Sequence, residues 1–183
     1  MANKYLSHNY SRELAKCTQR VKKLKRVLKD NGFELVGNEE LKITLKPKSY
    51  GYTGKDIAKY LESNNIFCEF ADPDFAVMMF TCEITDDDFN NLEKVLLNLP
   101  KKSPITFDAP EYKPGKRMMS VRQAVFSPSE VIPMENSLGK ILARDNVSCP
   151  PAIPIAVCGE EINQSAVELF KYYGIAEVEI VTK

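Results

Sequence analysis

Residues 118–162 read MMSVRQAVFSPSEVIPMENSLGKILARDNVSCPPAIPIAVCGEEI. The punctuation is too dense for a linker. Ser120 is placed to cap a short helical turn through Ala124. Ser127-Pro128-Ser129 and Cys149-Pro150-Pro151-Ala152-Ile153-Pro154 bracket a segment in which Pro133 opens a predicted helix reaching about Ala143. Ile153-Pro154-Ile155-Ala156-Val157 reads as a strand, which Pro154 confines to an edge or a bulge because it has no N–H to donate. Gly159-Glu160 closes that apolar run. Residues 162–173 then read as a helix capped by Gly174, and residues 178–181 as a last strand.

Upstream, residues 101–117 hold three prolines and little periodicity, the pattern of a linker. Residues 11–30 form an expected long helix in which Leu14, Cys17, Val21, Leu24 and Leu28 make one apolar stripe. Asn31-Gly32 stops it. Residues 33–36 and the alternating Leu41-Lys42-Ile43-Thr44-Leu45 read as strands. Thr53 and Asp56 form a capping box for a helix over residues 54–63. Asn64-Asn65 turns the chain into a strand, Ile66-Phe67-Cys68-Glu69-Phe70. Asp72-Pro73-Asp74 is a turn, and residues 75–82 are an apolar strand buried on both faces. Thr85 caps the next helix, whose stripe is Phe89, Leu92, Leu96 and Leu99, and Pro100 ends it. This order predicts an α+β fold, with a small mixed or antiparallel sheet carrying helices on one face, followed by a compact α+β C-terminal domain.

The chain has 183 residues, with 25 Lys plus Arg against 25 Asp plus Glu. That balance gives no bulk charge to attract nucleic acid or a membrane surface, and neither is expected as a partner. No apolar run is long enough to span a bilayer, and the N-terminus has no signal-peptide core, so a cytoplasmic location is expected. Five cysteines without a CxxC pair read as reduced, core-packed thiols. The lone histidine, His8, leaves no base for Cys–His or Ser–His chemistry and no ligand set for a metal. The basic residues along 16–29 read as a solvated helix face.

Phosphate-loop, dinucleotide and zinc-protease motifs are absent from the sequence. Two carboxylate pairs have structural readings. Asp72/Asp74 flank a turn proline in a solvated loop, and Glu160/Glu161 precede a helix whose positive end favours them. Glu69 is the candidate binding residue, because a carboxylate in so apolar a strand is costly to bury without a cationic partner. Two readings stay open for it from the strand alone: exposure on the outer face, or contact with a positively charged ligand group.

The segments Val121-Arg122-Gln123-Ala124-Val125-Phe126, Val131-Ile132-Pro133, Leu138-Gly139-Lys140-Ile141, the Pro150-Pro151-Ala152-Ile153-Pro154 run and Cys158-Gly159-Glu160 recur in an order that resembles the C-terminal domain of the bacterial ornithine/lysine/arginine decarboxylases. Upstream, residues 41–45 and 54–61 are similar to the start of that family's small domain. Ile66 to Glu69 is similar to its Gly-Ile-Val-Val-Glu strand. Cys149, Ala152 and Cys158 stand where the family has Tyr, Gly and Pro. The family's Ser-x-His-Lys segment has no counterpart, since Ser7-His8 is followed by Asn9.

The resemblance implies a layout with a connector helix over residues 1–31. A small domain of the pyridoxal phosphate (PLP) aspartate-aminotransferase-like fold covers 32–100, a linker 101–117 and a C-terminal domain 118–183. The implied enzyme is a PLP-dependent carboxy-lyase that converts a basic amino acid to its amine and carbon dioxide, with the cofactor bound by a large domain not represented in this sequence. The chain alone is then expected to be inactive and to bind no PLP. Implied partners are that large domain, the second subunit of a homodimer and the basic amino-acid substrate, whose distal cation Glu69 would face. Two other readings compete. One is a stand-alone amino-acid-binding or regulatory module, since the element order over 41–99 also resembles ferredoxin-like regulatory domains. The other is an assembly subunit docking through the Leu14–Leu28 stripe.

Overall fold

Helix α1 (Tyr10–Asp30) forms the spine of the first half of the chain. The computed structural model describes residues 6, 9–145 and 154–182, which divide into two compact units, 1–107 and 108–183. From Cys17 to Leu28 the α1 stripe is closed to solvent, with Val21 and Leu28 at 0% exposure. Each such buried side chain stabilises the fold by about 1.5–3 kcal/mol. At its C-terminus the Phe33 N–H donates to the Leu28 carbonyl, with Gly32 at φ 86°, so Asn31-Gly32 stops the helix as expected. Several of its cations are tied down: Lys22 pairs with Glu40 at 2.7 Å and Arg20 with Asp86 at 2.7 Å.

The sheet of this unit is antiparallel, in the order β1 (Leu35–Val36), β2 (Lys42–Leu45), β4 (Ala76–Met79), β3 (Phe70–Ala71). Ile43 lies opposite Met78 and Leu45 opposite Ala76, which puts all four on one face. That face shares a core with α1, with Ile57 and Leu61 of α2 (Gly54–Glu62), and with Phe89, Leu92 and Leu96 of α3 (Asp86–Leu97). Both capping boxes form: Thr53 with Asp56, and Thr85 with Asp88. From Cys17 to Leu28 the α1 stripe therefore packs inside its own unit. The apolar run 75–82 is shorter as a strand than expected, and Met79 is 54% exposed.

The second unit pairs β5 (Ser129–Pro133) and β6 (Leu142–Arg144) with a central β7 (Glu177–Val181), all antiparallel. Helices α4 (Val121–Phe126) and α5 (Gln164–Tyr173) complete it. Leu142, Ile162, Phe170, Val178 and Ile180 centre its core. Three expectations fail here. The helix expected from Pro133 to Ala143 is a 3-10 turn, Met134–Asn136, followed by β6. Pro133 ends a strand instead of opening a helix, since its fixed φ suits either position. Strand β5, over which the sequence reading assigned no strand, pairs along its whole length with β7. Residues 154–157, expected in a strand, join no sheet.

The units meet in sequence at Phe107 and Asp108, inside the stretch read as a linker. Residues 102 and 105 donate backbone hydrogen bonds to Tyr50 and Lys48 of the first unit. In the second unit, the Lys113 N–H donates to Ser165 Oγ at 2.9 Å. Cys149 and Ala152 lie outside the described residues, as does His8.

Candidate functional site

Glu69 is placed by the exit of α2. Asn65 adopts a left-handed φ of 59°, and the Ile66 N–H donates to the Leu61 carbonyl at 2.9 Å, folding the chain back over the helix end. From there the backbone runs extended. Ile66 and Cys68 turn inward onto the core, while Phe67 is 73% exposed and Glu69 is exposed. The expected alternation is present, but regular strand pairing begins only at Phe70. The Glu69 N–H donates to the Val77 carbonyl at 2.9 Å. Its carboxylate meets no partner among the described residues. The exposure removes the desolvation cost anticipated for a carboxylate in this segment, because water solvates it. Within its own unit, Glu69 is an outward-facing anion beside an exposed aromatic ring.

Cys68, one residue earlier, shows the opposite environment: burial pushes its thiol up to about 11. A cleft of 210 Å³ opens next to Phe67, lined chiefly by Met79, Phe80, Ile84, Phe89 and Leu92. The Phe80 and Phe89 rings stack at 5.2 Å on its wall. The sequence reading missed this cleft, since it assigned Phe80 and Phe89 only to core roles.

Both carboxylate pairs sit differently from expectation. The Asp72 carboxylate accepts the Asp74 and Phe75 N–H groups, each at 2.7 Å, and burial raises its pKa against those hydrogen bonds. Asp74 is no solvated loop residue. It pairs with Lys48 at 2.5 Å, with the two side chains only 13% and 6% exposed. Glu160 and Glu161 sit in isolated bridges to Arg117 and Ile141, and α5 starts later, capped by Asn163. Neither glutamate therefore occupies a helix first turn. Cys158 is buried, and its thiol donates to Asp145 at 3.2 Å, which together with burial raises its pKa.

The second unit carries a shallow groove of 310 Å³ between Val131, Arg144, Asp145 and Glu177. Glu179, which also lines it, accepts a hydrogen bond from Ser129 Oγ at 2.6 Å and pairs with Arg144 at 3.4 Å. The Arg144 and Glu179 charges satisfy one another.

A Schiff-base site needs a lysine able to lose its proton beside a phosphate cradle. Lys48 is the buried lysine among the described residues. It pairs with Asp74 and donates to the Phe107 carbonyl at 2.9 Å. Among the described residues, no group of His, Cys, Asp and Glu side chains is arranged to hold a metal, and no helix is long and apolar enough to cross a membrane.

No protein-family model matches the chain. An arginine decarboxylase of Bacillus anthracis is 31% identical over 155 residues, covering 76% of this chain and 31% of that protein. An arginine decarboxylase of Bacillus subtilis (strain 168) is 29% identical over 154 residues, with the same coverage. Among solved structures, a Francisella novicida lysine decarboxylase aligns over 94% of this chain and 40% of its own, with a TM-score of 0.64 at 11% identity. The constitutive lysine decarboxylase of E. coli gives 0.62 at 14% identity, with the same coverage. At such identities the structural likeness establishes the α+β fold. The chain spans about a third of the length of the curated relatives it matches, and it is decarboxylase-related in sequence and fold.

Proposed function

We propose that this chain forms the substrate-facing small and C-terminal portion of a PLP-dependent decarboxylase of basic amino acids, in which Glu69 receives the substrate's distal cation. In the complete enzyme PLP is held by a separate large domain, and the chain alone does not catalyse. The observation that carries the reading is the inside-out alternation of residues 66–69, which leaves the Glu69 carboxylate outward and without a partner among the described residues. Relatives named arginine decarboxylase support the reaction class.

A carboxylate aimed at an ammonium or guanidinium orients the substrate through a charge-assisted hydrogen bond. It also selects against neutral side chains, which would leave the anion unpaired once water is excluded. Such a bond contributes roughly 1.5–3 kcal/mol. The test joins this chain to a PLP-binding large domain, by fusion or co-expression, and compares the assembled enzyme with its Glu69→Gln variant. The expected result is a loss of kcat/KM of about tenfold or more for arginine, lysine or ornithine. Equal kcat/KM for all three substrates removes Glu69 from the role. Absence of any decarboxylation in the assembled enzyme removes the reaction itself.

A further inference from the structure

Cys17 and Cys82 are far apart in sequence and close in space. Cys17, on the buried stripe of α1, is 1% exposed, and its thiol donates to the Thr81 carbonyl at 3.3 Å. That carbonyl belongs to the peptide unit that ends at the Cα of Cys82. Planar trans geometry keeps a carbonyl oxygen within about 3 Å of the next Cα, so Cys17 Sγ lies within about 6 Å of the Cys82 Cα. One helical turn along α1, Arg20 Nη1 donates to the Ile84 carbonyl at 3.2 Å and its Nε pairs with Asp86 at 2.7 Å. The same helix thus holds the connection between β4 and α3 on both sides of Cys82. Cys82 itself begins a turn outside any strand or helix and is half-exposed. The Cys17 thiol is raised first by burial and then by Cys82.

We propose that Cys17 and Cys82 are a dithiol modification site, closing to a reversible intramolecular disulfide on reaction with a small disulfide such as oxidised glutathione. Cys82, the accessible member, attacks one sulfur of glutathione disulfide as its thiolate. This forms a mixed disulfide and releases one glutathione. Cys17 then gives up its proton and attacks Cys82 Sγ, and the second glutathione leaves with that electron pair. Two electrons pass from the two protein thiols to glutathione disulfide, and the two thiol protons end on two glutathione molecules. The half-exposed turn supplies the small shift needed to bring the Cα atoms into the range of about 4.4–6.8 Å that a disulfide requires. The product staples α1 to the segment whose Phe80, Ile84 and Phe89 line the 210 Å³ cleft, fixing that wall.

The test equilibrates the full chain in glutathione buffers of increasing oxidised fraction, alkylates free thiols and maps linkages by mass spectrometry of non-reduced digests. The expected product is a single Cys17–Cys82 linkage, reversed by dithiothreitol and formed equally in Cys68→Ser and Cys158→Ser variants. It disappears in Cys82→Ser, at a half-exposed turn position that serves if Cys17→Ser proves unstable. The oxidised chain should melt at least about 5 °C higher, because closing so long a loop constrains the unfolded state. Glutathione left on Cys82 as the end product overturns the proposal, as does linkage to Cys68 or full alkylation of both thiols at every ratio.

Discussion

Lys48 Nζ and the Asp74 carboxylate lie 2.5 Å apart with both side chains nearly closed to solvent. Lys48 also donates to the Phe107 carbonyl, and its ammonium sits 5.1 Å from the Phe107 ring centre. The pair joins the 3-10 turn Pro47–Tyr50 to the Asp72–Phe75 turn, and it anchors the end of the first unit. Removing one charge takes away the other's close counter-charge in a place where water reaches it poorly. Asp74→Ala is therefore expected to lower stability by about 3–5 kcal/mol. The double variant Lys48→Met/Asp74→Leu should recover most of that loss. Urea unfolding of the single and double variants measures both values, and equal losses in the two would contradict the assignment.

Gly54 opens α2 against the Asp72–Phe75 turn. A Cβ there would sit 1.8 Å from the Phe75 carbonyl oxygen and 2.6 Å from that of Asp72. Both are backbone atoms, so neither can rotate away. The Lys55 N–H donates to the same Asp72 carbonyl at 3.0 Å, which ties helix and turn together. Gly54→Ala is expected to cost about 1–3 kcal/mol, or more if the turn cannot yield, read as a fall in urea midpoint at unchanged slope. Ala58→Gly in the same helix serves as the comparison for simple helix propensity, at about 1 kcal/mol.

The two capping boxes give the first unit an acid-sensitive term. The hydrogen bond from Thr53 lowers the Asp56 pKa, and that from Thr85 lowers the Asp88 pKa. Their stabilisation is fully present above the ordinary aspartate value of about 3.9 and fades as pH falls through the lower folded values. Asp72 acts in the opposite sense, because burial raises its pKa and acid relieves its cost. Thermal melts of Asp56→Asn/Asp88→Asn should show a lower Tm at pH 7 and a flatter decline from pH 5 to pH 2.5 than the parent chain. A parallel decline would show that the boxes do not titrate with folding.

Phe67 and Ile162 are apolar residues at opposite extremes of burial, 73% and 0% exposed. Ile162→Ala removes the centre of the second core and is expected to cost about 2–5 kcal/mol. Phe67→Ser should change stability by no more than about 0.5 kcal/mol. In the assembled enzyme, Phe67→Ser is expected to raise KM more than it lowers kcat, since the ring flanks Glu69. Calorimetry gives the first two values and steady-state kinetics the third.

Local chemistry made much of the first unit legible. The stripe from Cys17 to Leu28, the Asn31-Gly32 stop and both Thr-x-x-Asp boxes each act within a few residues, so spacing alone reveals them. The second unit was harder to read. Its strand β5 carries Ser129, Glu130 and Pro133, residues with weak strand preference, and forms because β7 supplies a pairing edge. For Glu69, the sequence established the alternation, and only the fold showed its outward face to be open to water.

The sequence by itself determined the helices of the first unit, the caps at Thr53 and Thr85 and the decarboxylase likeness, because periodicity, side-chain caps and segment order are properties of neighbouring residues. Only the tertiary structure decided that Asp74 is paired and nearly buried with Lys48, that the α1 stripe from Cys17 to Leu28 packs inside its own unit, and that Cys17 faces the turn holding Cys82. Each of these depends on contacts between residues distant along the chain, where burial and partner geometry, not local pattern, set the energy.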